Sequence, residues 1–290
     1  MFDNKKILIA AGGTGGHINP ALGTAGYIKE KHPSVEIAFV GTADKMEAKL
    51  VPEAGYELKT IEISGFWRSF SGEAIKHNIG TVRKLLKSSS QIKKIIDDFK
   101  PDLVIGFGGY VSGPVLRIAA KKGIPTAIHE QNAYPGVANK AVAGKVDRVM
   151  LTAKQAEQYM NPKNPCVVTG LPIRGDILKG DRDFARAELN VGNKPLILSM
   201  GGSLGAKPVN DAILGLILKK YQDNDCVFLH ATGKNGAWFV EKLESEGVDL
   251  KSNPHIKVVE YIDIPKCLAA ADLVICRSGA STLSELQALG

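Results

Sequence analysis

Glycines and a histidine crowd one short segment near the start of the chain. This segment, Gly12-Gly13-Thr14-Gly15-Gly16-His17, follows an apolar run and precedes an amphipathic stretch whose helix we expect to begin near Pro20. Glycines in such a turn let backbone N–H groups approach a phosphate, and the positive end of the helix also favours the anion. Ile18 stands where the dinucleotide fingerprint requires glycine, and no Walker Lys-Ser/Thr pair follows. The segment therefore predicts a different phosphate site, with a structural turn as the alternative.

Two further glycine-rich segments follow apolar runs in the same way. They are Gly106-Phe107-Gly108-Gly109-Tyr110-Val111-Ser112-Gly113-Pro114 and Gly201-Gly202-Ser203-Leu204-Gly205-Ala206. Three such turns, without the dinucleotide signature, indicate a site for a nucleotide diphosphate and a second phosphorylated group. Residues 7–16 and 197–206 also resemble each other, which suggests two similar nucleotide-binding units.

His17 stands at the end of the first turn, where we expect a helix to start. Because a neutral imidazole can accept a proton near pH 7, His17 is a candidate general base for a hydroxyl nucleophile. The alternative is a histidine that makes only a structural hydrogen bond.

Polar residues follow two other apolar runs. His129-Glu130-Gln131-Asn132 either contacts a polar ligand or forms a hydrogen-bonded turn. In Arg277-Ser278-Gly279-Ala280-Ser281-Thr282-Leu283-Ser284-Glu285, we expect the hydroxyls to cap a helix. Glu285, one turn into that helix, could accept hydrogen bonds from the vicinal hydroxyls of a sugar, and a plain capping box is the alternative.

Two Asp-x-Asp triplets could be taken for a metal–nucleotide-sugar site. We interpret Asp181-Arg182-Asp183 as the N-cap of a helix over 184–189, and Asp223-Asn224-Asp225 as the turn before a strand. No cluster of His, Cys and carboxylate residues elsewhere has metal-ligand spacing, so no metal is predicted. Cysteines without CxxC spacing predict reduced thiols in a cytosolic protein, and they are Cys166, Cys226, Cys267 and Cys276.

The elements that must position these segments alternate along the chain. Short apolar runs separated by amphipathic helices are typical of parallel βαβ units covered on both faces. We therefore predict an α/β protein with two Rossmann-like parallel-sheet domains, 1–168 and 172–290, which face a ligand-binding cleft and join near 162–174. The first has room for about seven strands and the second for about four, so we expect the second domain to be incomplete at its C-terminal end. The predicted strands are 7–11, 35–40, 103–105, 125–129, 146–151, 196–200, 227–230, 256–259 and 273–276, and the predicted helices are 21–31, 76–98, 113–122, 208–221, 236–246 and 280–289.

Composition and charge exclude several classes of protein. The 290 residues are 44% hydrophobic and 23% charged, unlike a disordered chain, a collagen-like fibre or a disulfide-stapled miniprotein. The apolar runs are too short to span a bilayer, and because the first strand is predicted at 7–11 we expect no signal peptide. Residues 1–170 hold 23 basic and 15 acidic residues, a net +8, whereas residues 171–290 hold 14 and 15, a net −1. An anionic partner is therefore expected to meet the first half.

An aromatic and basic segment in the first half could supply this contact. Gly65-Phe66-Trp67-Arg68-Ser69-Phe70 precedes a basic stretch, in which each Lys or Arg near an anionic membrane surface would contribute about 1 kcal/mol of binding. A solvated helix face is the alternative, and no nucleic-acid-binding module accompanies the charge. The residues expected to associate with a membrane are Phe66, Trp67, Phe70, Lys76, Arg83, Lys84 and Lys87.

Together these motifs resemble the MurG family of peptidoglycan N-acetylglucosaminyltransferases, which convert lipid I to lipid II. The resemblance runs in order from residue 5 to residue 290, through 12–17 with Pro20-Ala21, 108–114, 129–132, 201–206 and 277–280 with Glu285. It implies a GT-B fold, UDP-N-acetylglucosamine (UDP-GlcNAc) as donor substrate, and undecaprenyl-diphosphate-linked N-acetylmuramoyl-pentapeptide (lipid I) as acceptor. It also implies a peripheral enzyme on the cytoplasmic face of the membrane, active in cell-wall synthesis and hence in cell shape and cell division.

The resemblance also implies roles for single residues. His17 corresponds to a catalytic position, and we expect it to act as general base in an inverting transfer that uses no metal or cofactor. Tyr110 and Ser112 correspond, with His17, to the acceptor side. The family continues beyond the glycine that matches Gly290 into a further strand, a segment whose glutamine grips the donor sugar, and a final helix. The donor contacts carried over by position are Thr14, Gly15, Gly16, Asn132, Arg174, Ser203, Ile262 and Glu285.

Two other functions remain open from the sequence. A non-catalytic protein that binds a UDP-sugar or a lipid would keep the turns without turnover. A UDP-GlcNAc epimerase on the same double-Rossmann plan would need no lipid acceptor, and it would leave the aromatic and basic segment unexplained. The sequence predicts no oligomeric state.

Overall fold

The chain forms two compact units, each built on one parallel β-sheet. The computed structural model describes residues 2–63 and 87–290. The units are Met1–Arg174 and Gly175–Gly290. The predicted domains, 1–168 and 172–290, place the boundary a few residues earlier in the chain.

The first unit contains a seven-stranded parallel sheet. Its strands stand in the order β3-β2-β1-β4-β5-β6-β7, so the direction of progression reverses between β1 and β4. Ligand sites of such sheets lie beyond the carboxyl ends of the strands at this switch point. The elements are β1 (Lys6–Ala11), α1 (Gly15–Lys31), β2 (Glu36–Gly41), α2 (Glu47–Glu53), β3 (Glu57–Thr60), α3 (87–99), β4 (Leu103–Gly108), α4 (Gly109–Lys121), β5 (Thr126–Glu130), α5 (Val137–Val142), β6 (Arg148–Leu151) and β7 (Val167–Val168), with short 3₁₀ segments at Ala143–Lys145 and Lys154–Tyr159.

Both faces of this sheet are covered by apolar side chains. Successive residues of a strand point to opposite faces. Accordingly, Leu8 and Ala10 of β1 belong to one buried apolar cluster, while Ile7 and Ile9 belong to another. Burial on both faces explains why this strand is an unbroken apolar run in the sequence.

The second unit contains a four-stranded parallel sheet in the order β10-β9-β8-β11, which reverses between β8 and β11. Its buried core includes Phe228 of the sheet together with Ile213, Ile217, Phe239 and Leu243 of the flanking helices. The carboxyl ends of the parallel strands again share one edge. The elements are α6 (Gly175–Leu178), α7 (Arg182–Glu188), β8 (Leu196–Met200), α8 (Lys207–Lys220), β9 (Val227–Ala231), α9 (Trp238–Ser245), β10 (Ile256–Val259), α10 (Ile264–Ala270), β11 (Leu273–Cys276) and α11 (Ala280–Leu289).

The predicted fold class is confirmed, since both units are parallel α/β sheets, with seven and four strands. The predicted strands omit β3 and β7, which are short strands at the two edges of the sheet. β3 alternates charged with other residues, and β7 is only two exposed valines, too short to stand out as an apolar run. The interpretation of the Asp-x-Asp triplets is also confirmed. Asp181 caps α7 by accepting a hydrogen bond from Phe184 N (2.9 Å), and residues 223–225 precede β9 outside any helix or strand.

Helix α1 begins earlier than predicted. Its first residue is Gly15, and Ile18 N donates to Thr14 O over 3.2 Å. The expected start near Pro20 was wrong, since Pro20 lies inside the helix, where proline is uncommon. His17 therefore occupies the first turn of α1 and not the preceding loop.

Candidate functional site

The first two glycine-rich segments meet at the carboxyl ends of β1 and β4. Gly109 has φ +74, and a Cβ at this position would overlap the carbonyl oxygen of Gly12. Gly108 has φ +103, and a Cβ there would lie 2.9 Å from the His17 ring. Only glycine fits at both positions, because L side chains rarely adopt such φ values and the neighbouring groups leave no room. The two turns and the start of α1 therefore form one surface.

A buried carboxylate, Glu47, holds the first turn in place. Its Oε2 accepts a hydrogen bond from Gly13 N (3.0 Å), and its Oε1 accepts from Thr42 N (3.0 Å) and Thr42 Oγ1 (2.8 Å). The packing is close, since a Cβ at Gly41 would lie 2.5 Å from Glu47 Cγ. Sequence reasoning missed Glu47, because a single Glu in an amphipathic helix carries no signal of burial. The small residues Gly41 and Thr42, which precede Glu47 in the chain, were the one feature that could have indicated close packing there.

The start of α1 offers backbone donors to an anion. The first N–H groups of a helix have no acceptor within it, and no described residue in the first turn of α1 is acidic. Thr14 and Gly16 are exposed, and Gly15 and His17 are half-buried. The predicted donor contacts Thr14, Gly15 and Gly16 are thus accessible to a phosphate.

Of the four polar residues 129–132, only Asn132 is exposed. Glu130 accepts four hydrogen bonds of 2.9–3.1 Å, from Asn132 N, Asn132 Nδ2, Gly136 N and Asn139 Nδ2. These bonds close the turn over 131–136. His129, Glu130 and Gln131 therefore agree with the alternative interpretation, a hydrogen-bonded turn. Asn132 is the residue of this group that a ligand can reach.

His17 is linked to the end of β5 through Gln131. His17 Nδ1 lies 3.0 Å from Gln131 Oε1, and Gln131 Nε2 donates to Phe107 O over 2.9 Å. Beyond Gln131, His129 Nε2 lies 2.9 Å from Gly170 O. Burial lowers the pKa of His129, which favours its neutral form. One ring nitrogen of His17 is thus engaged by the protein.

Tyr110 and Ser112, both expected on the acceptor side, differ in exposure. Tyr110 is half-buried beside the first turn, and a Cβ at Gly13 would lie 3.6 Å from its ring. Burial, followed by the negative charge of Glu47, raises the pKa of Tyr110, so its phenol stays protonated at neutral pH. Ser112 is fully buried against Gly106 of β4. Residues two apart on a helix face different directions, so the structure does not bring Ser112 to the surface with Tyr110.

Arg174, another predicted donor contact, is the last residue of the first unit and is half-buried. The chain just before it is held at two points. Gly170 O accepts from His129 Nε2, and α1 packs so closely on Ile173 that a Cβ at Gly23 would lie 2.9 Å from the Ile173 carbonyl. These contacts fix the segment that carries Arg174 against α1 and β5.

In the second unit, the third glycine-rich segment is joined to a turn that sequence reasoning missed. This turn, 232–236, follows β9. Lys234 N donates to Ser203 O over 3.2 Å. Gly205 (φ +79) and Gly233 (φ +70) are so close that a Cβ on either would overlap the backbone of the other turn. Ser203, predicted to contact the donor, is exposed on this pair of turns.

The other two predicted donor contacts of this unit follow β10 and β11. Ile262 is half-buried next to Asp263, which caps α10 by accepting from Lys266 N (3.3 Å). Glu285 is 8% exposed in the second turn of α11. The prediction that hydroxyls cap this helix is wrong. The N-cap residue of α11 is Gly279, which has no side chain, and no side chain of the described residues accepts a capping hydrogen bond there. The capping-box alternative for Glu285 is therefore not formed.

The residues expected to associate with a membrane fall mostly outside the described part of the chain. Lys87 is exposed at the first described residue of α3, with its Nζ 2.7 Å from Glu62 Oε1. No helix within 2–63 and 87–290 is long and apolar enough to cross a membrane. Within the same ranges, no group of three or more His, Cys, Asp or Glu side chains is placed to hold a metal ion. The residues outside the described ranges are Phe66, Trp67, Phe70, Lys76, Arg83 and Lys84.

The two units and their turns define a class of protein. Parallel sheets with glycine-rich turns at the carboxyl ends of their strands are typical of Rossmann-like proteins that bind nucleotides. The sequence model described as Glycosyltransferase family 28 N-terminal domain matches residues 7–151, and the one described as Glycosyltransferase family 28 C-terminal domain matches residues 196–290. The chain belongs to glycosyltransferase family 28 and, within it, to the MurG group.

Relatives of known name are similar along nearly the whole chain. The protein named UDP-N-acetylglucosamine--N-acetylmuramyl-(pentapeptide) pyrophosphoryl-undecaprenol N-acetylglucosamine transferase in Acetivibrio thermocellus is 45% identical over 98% of this chain and 76% of its own length. The protein of the same name in Clostridioides difficile is 41% identical, over 98% of this chain and 69% of its own.

One solved structure supports the same grouping, and a second shows the same fold. The crystal structure of Acinetobacter baumannii MurG has a TM-score of 0.66 at 29% identity, over 98% of this chain and 76% of that one. The UDP-GlcNAc 2-epimerase of Neisseria meningitidis, bound to UDP-GlcNAc, has a TM-score of 0.62 at 15% identity, over 94% of this chain and 78% of that one. At this identity the second similarity shows a shared fold alone.

Proposed function

We propose that the chain transfers N-acetylglucosamine from UDP-GlcNAc to the muramoyl hydroxyl of lipid I, giving lipid II in peptidoglycan synthesis. Relatives that carry the name of this activity, one of them 45% identical over 98% of the chain, support the proposal. The structural observation that carries it is the surface shared by Gly12, Gly109 and His17. There, backbone suited to a phosphate lies beside a group that can accept a proton.

We assign the donor nucleotide chiefly to the second unit. Ser203, Ile262 and Glu285 follow the carboxyl ends of three of its strands. The backbone at Ile262 would face the uracil, and the carboxylate of Glu285 would accept hydrogen bonds from sugar hydroxyls. In the first unit, the residues assigned to the donor are Thr14, Gly15, Gly16, Asn132 and Arg174.

The proposed reaction is a single displacement that inverts the anomeric carbon. The acceptor hydroxyl oxygen attacks this carbon, the bond to the UDP oxygen breaks, and the hydroxyl proton passes to Nε2 of His17. Because Nδ1 of His17 is engaged by Gln131, Nε2 is the ring nitrogen left for substrate. Tyr110, a neutral phenol beside the first turn, can donate a hydrogen bond to the acceptor. Ser112 is left out of this assignment because it is buried.

We also propose that the transfer needs no metal or cofactor. Negative charge grows on the departing diphosphate and must be stabilised. The N–H groups at the start of α1, the glycine-rich turns and the guanidinium of Arg174 can provide this stabilisation. Full activity in excess EDTA is the expected result, and a requirement for Mg²⁺ or Mn²⁺ would contradict it.

A peripheral attachment to the cytoplasmic face of the membrane completes the proposal. Residues 1–170 carry 23 basic and 15 acidic residues, and this excess of positive charge favours anionic headgroups. Nucleic acid is not a proposed partner. More of the protein should sediment with phosphatidylglycerol vesicles than with phosphatidylcholine vesicles, and added salt should reduce the difference. Equal binding to both vesicles would contradict this attachment.

The test of the central proposal is a transfer assay with radiolabelled UDP-GlcNAc and detergent-solubilised lipid I, paired with calorimetric titration of UDP-GlcNAc. Formation of lipid II with an inverted linkage supports the proposal. Binding without turnover would instead identify a non-catalytic protein that binds a sugar nucleotide. Release of an epimerised UDP-sugar in the absence of acceptor would identify an epimerase.

A further inference from the structure

The orientation of the Gln131 amide is fixed by its surroundings. The side chain is 3% exposed, and its Nε2 lies 2.9 Å from both Phe107 O and His129 O. Carbonyl oxygens only accept hydrogen bonds, so the group that faces them must be the NH₂ end of the amide. The reversed orientation would place an oxygen against two oxygens.

The opposite end of the amide then determines where the proton of His17 resides. Gln131 Oε1 lies 3.0 Å from His17 Nδ1. Because an amide oxygen can only accept, Nδ1 of His17 must carry the proton. In the neutral ring, Nε2 consequently has the free electron pair.

His129 also favours this orientation of the Gln131 amide. Its Nε2 lies 2.9 Å from Gly170 O, so Nε2 carries the proton and Nδ1 has the electron pair. That electron pair faces Gln131 Nε2 at 3.3 Å. The His129 ring also stacks on Phe107, with ring centroids 5.5 Å apart. Since burial lowers the pKa of His129, the ring stays neutral, and its Nδ1 presents an electron pair and not a second proton to the NH₂ of Gln131.

We propose that Gln131 is a positioning residue that holds His17 in its Nδ1–H tautomer, so that Nε2 is always the nitrogen able to take the acceptor's proton. When Nε2 accepts that proton, the imidazolium keeps its Nδ1–H bond to Gln131, and the proton later leaves from Nε2. The catalytic consequence rests on the proposed function, whereas the tautomer itself is a property of the folded chain.

The direct test is nitrogen NMR of the full chain labelled with ¹⁵N-histidine, without substrate. The chain has six histidines, and the signals of His17 are those lost in His17→Gln. In the native protein, at a pH high enough for a histidine ring to be neutral, we expect His17 Nδ1 to show the shift of a protonated ring nitrogen and Nε2 that of an unprotonated one. The reverse pattern would overturn the proposal without any variant of Gln131.

Two substitutions by side chains of nearly the same size as glutamine distinguish control of the His17 tautomer from an effect of packing. Gln131→Met removes the acceptor, and we expect the proton of His17 to move largely to Nε2 and kcat to fall about tenfold, with UDP-GlcNAc affinity unchanged. Gln131→Glu keeps an acceptor toward His17 when it is held as the protonated acid, with its O–H toward Phe107 O or His129 O, and in that form it should preserve the Nδ1–H tautomer. The control is Gln158→Met, an exposed site, which should match the native protein in both measurements.

The outcomes distinguish this inference from the proposed function. An unchanged His17 tautomer in Gln131→Met, or a native rate in Gln131→Met although its His17 proton has moved to Nε2, would overturn the positioning role. If the tautomers follow expectation but His17→Ala transfers sugar at the native rate, the base role in the proposed function fails, and the control of the tautomer stands.

Discussion

Glu47 Oε2 and the backbone nitrogen of Gly13 lie 3.0 Å apart, in a hydrogen bond that joins a buried carboxylate of α2 to the turn before α1. The same carboxylate accepts from the backbone and the hydroxyl of Thr42, just after β2. An ionised carboxylate has only acceptors, so it satisfies all three donors at once. The first glycine-rich turn is thus held from the interior of the first unit.

Replacing this carboxylate should disturb the turn. In Glu47→Gln, the NH₂ end of the amide must face either Gly13 N–H or Thr42 N–H, so a donor faces a donor. We expect the free energy of unfolding to fall by about 2 kcal/mol, measured by chemical denaturation, and KM for UDP-GlcNAc to rise. Glu53→Gln, at an exposed position of the same helix, is the control and should change neither quantity. Equal losses in the two variants would refute this role for Glu47.

Two effects of a side chain at Gly109 can be distinguished by experiment: steric overlap with Gly12, and strain from the positive φ of Gly109. Gly109 (φ +74) and Gly123 (φ +73) have nearly the same φ, but a Cβ at Gly123 would meet no described heavy atom within 4 Å. We expect Gly123→Ala to cost about 1–2 kcal/mol of stability through backbone strain alone. Gly109→Ala should cost more and also abolish transfer, because the methyl group displaces Gly12. Thermal unfolding and the transfer assay check this, and similar behaviour of the two variants would argue against the contact.

Removal of the proposed base should affect the rate and not the binding of nucleotide. We expect His17→Ala to lower kcat for transfer at least tenfold, since a general base contributes about 10²–10⁴. The UDP affinity should remain, as measured by calorimetry. His32→Ala is the control, because His32 lies at the other end of α1, where it contacts Asp3. A native rate in His17→Ala would exclude this residue from proton transfer.

His230 should make the stability of the second unit depend on pH. It is buried, with Nδ1 2.9 Å from Ser199 Oγ, and its Nε2 has no hydrogen-bond partner among the described residues. Burial lowers the pKa of His230 to about 4, so as pH falls the unfolded chain takes up the proton first. The contribution of His230 to the free energy of unfolding is therefore fully present above about pH 6.5 and is lost as pH falls towards 4. The total loss is on the order of 3 kcal/mol.

Denaturant unfolding between pH 7 and pH 4.5 measures this loss. His230→Gln keeps a polar partner for Ser199 but cannot titrate in this range, so its stability should decline less steeply with falling pH. The control is His255→Gln, which removes a half-buried histidine of the same unit and should leave the slope unchanged. An equally steep decline in His230→Gln would show that another group causes the pH dependence.

The central strands could be predicted because they are buried on both faces. The apolar run 7–11 corresponds to β1, Lys6–Ala11, whose last five residues are all buried. The edge strand β3, Glu57–Thr60, has no buried residue and alternates charged with other residues, so its sequence resembles a loop. The start of α1 was misplaced for a different reason, since glycine and proline both favour breaks and only the folded context makes 15–20 helical.

The candidate site was predictable where it depends on local sequence. The glycine-rich turns at 12–17 and 201–206 are visible because each follows an apolar run. The role of Glu47 was not predictable, since its partner Gly13 is 34 residues away and no residue near Glu47 in the sequence indicates that pairing. Ser112 shows another limit, because membership of a glycine-rich segment does not reveal which side of the following helix a residue occupies.

The contact between Gly205 and Gly233 has a consequence for affinity. Each backbone fills the space that a side chain on the other would need, so neither turn can shift without the other. The conformational entropy of both turns is consequently lost when the chain folds and not when a sugar nucleotide arrives. Preorganisation of this kind leaves more of the contact energy available as affinity.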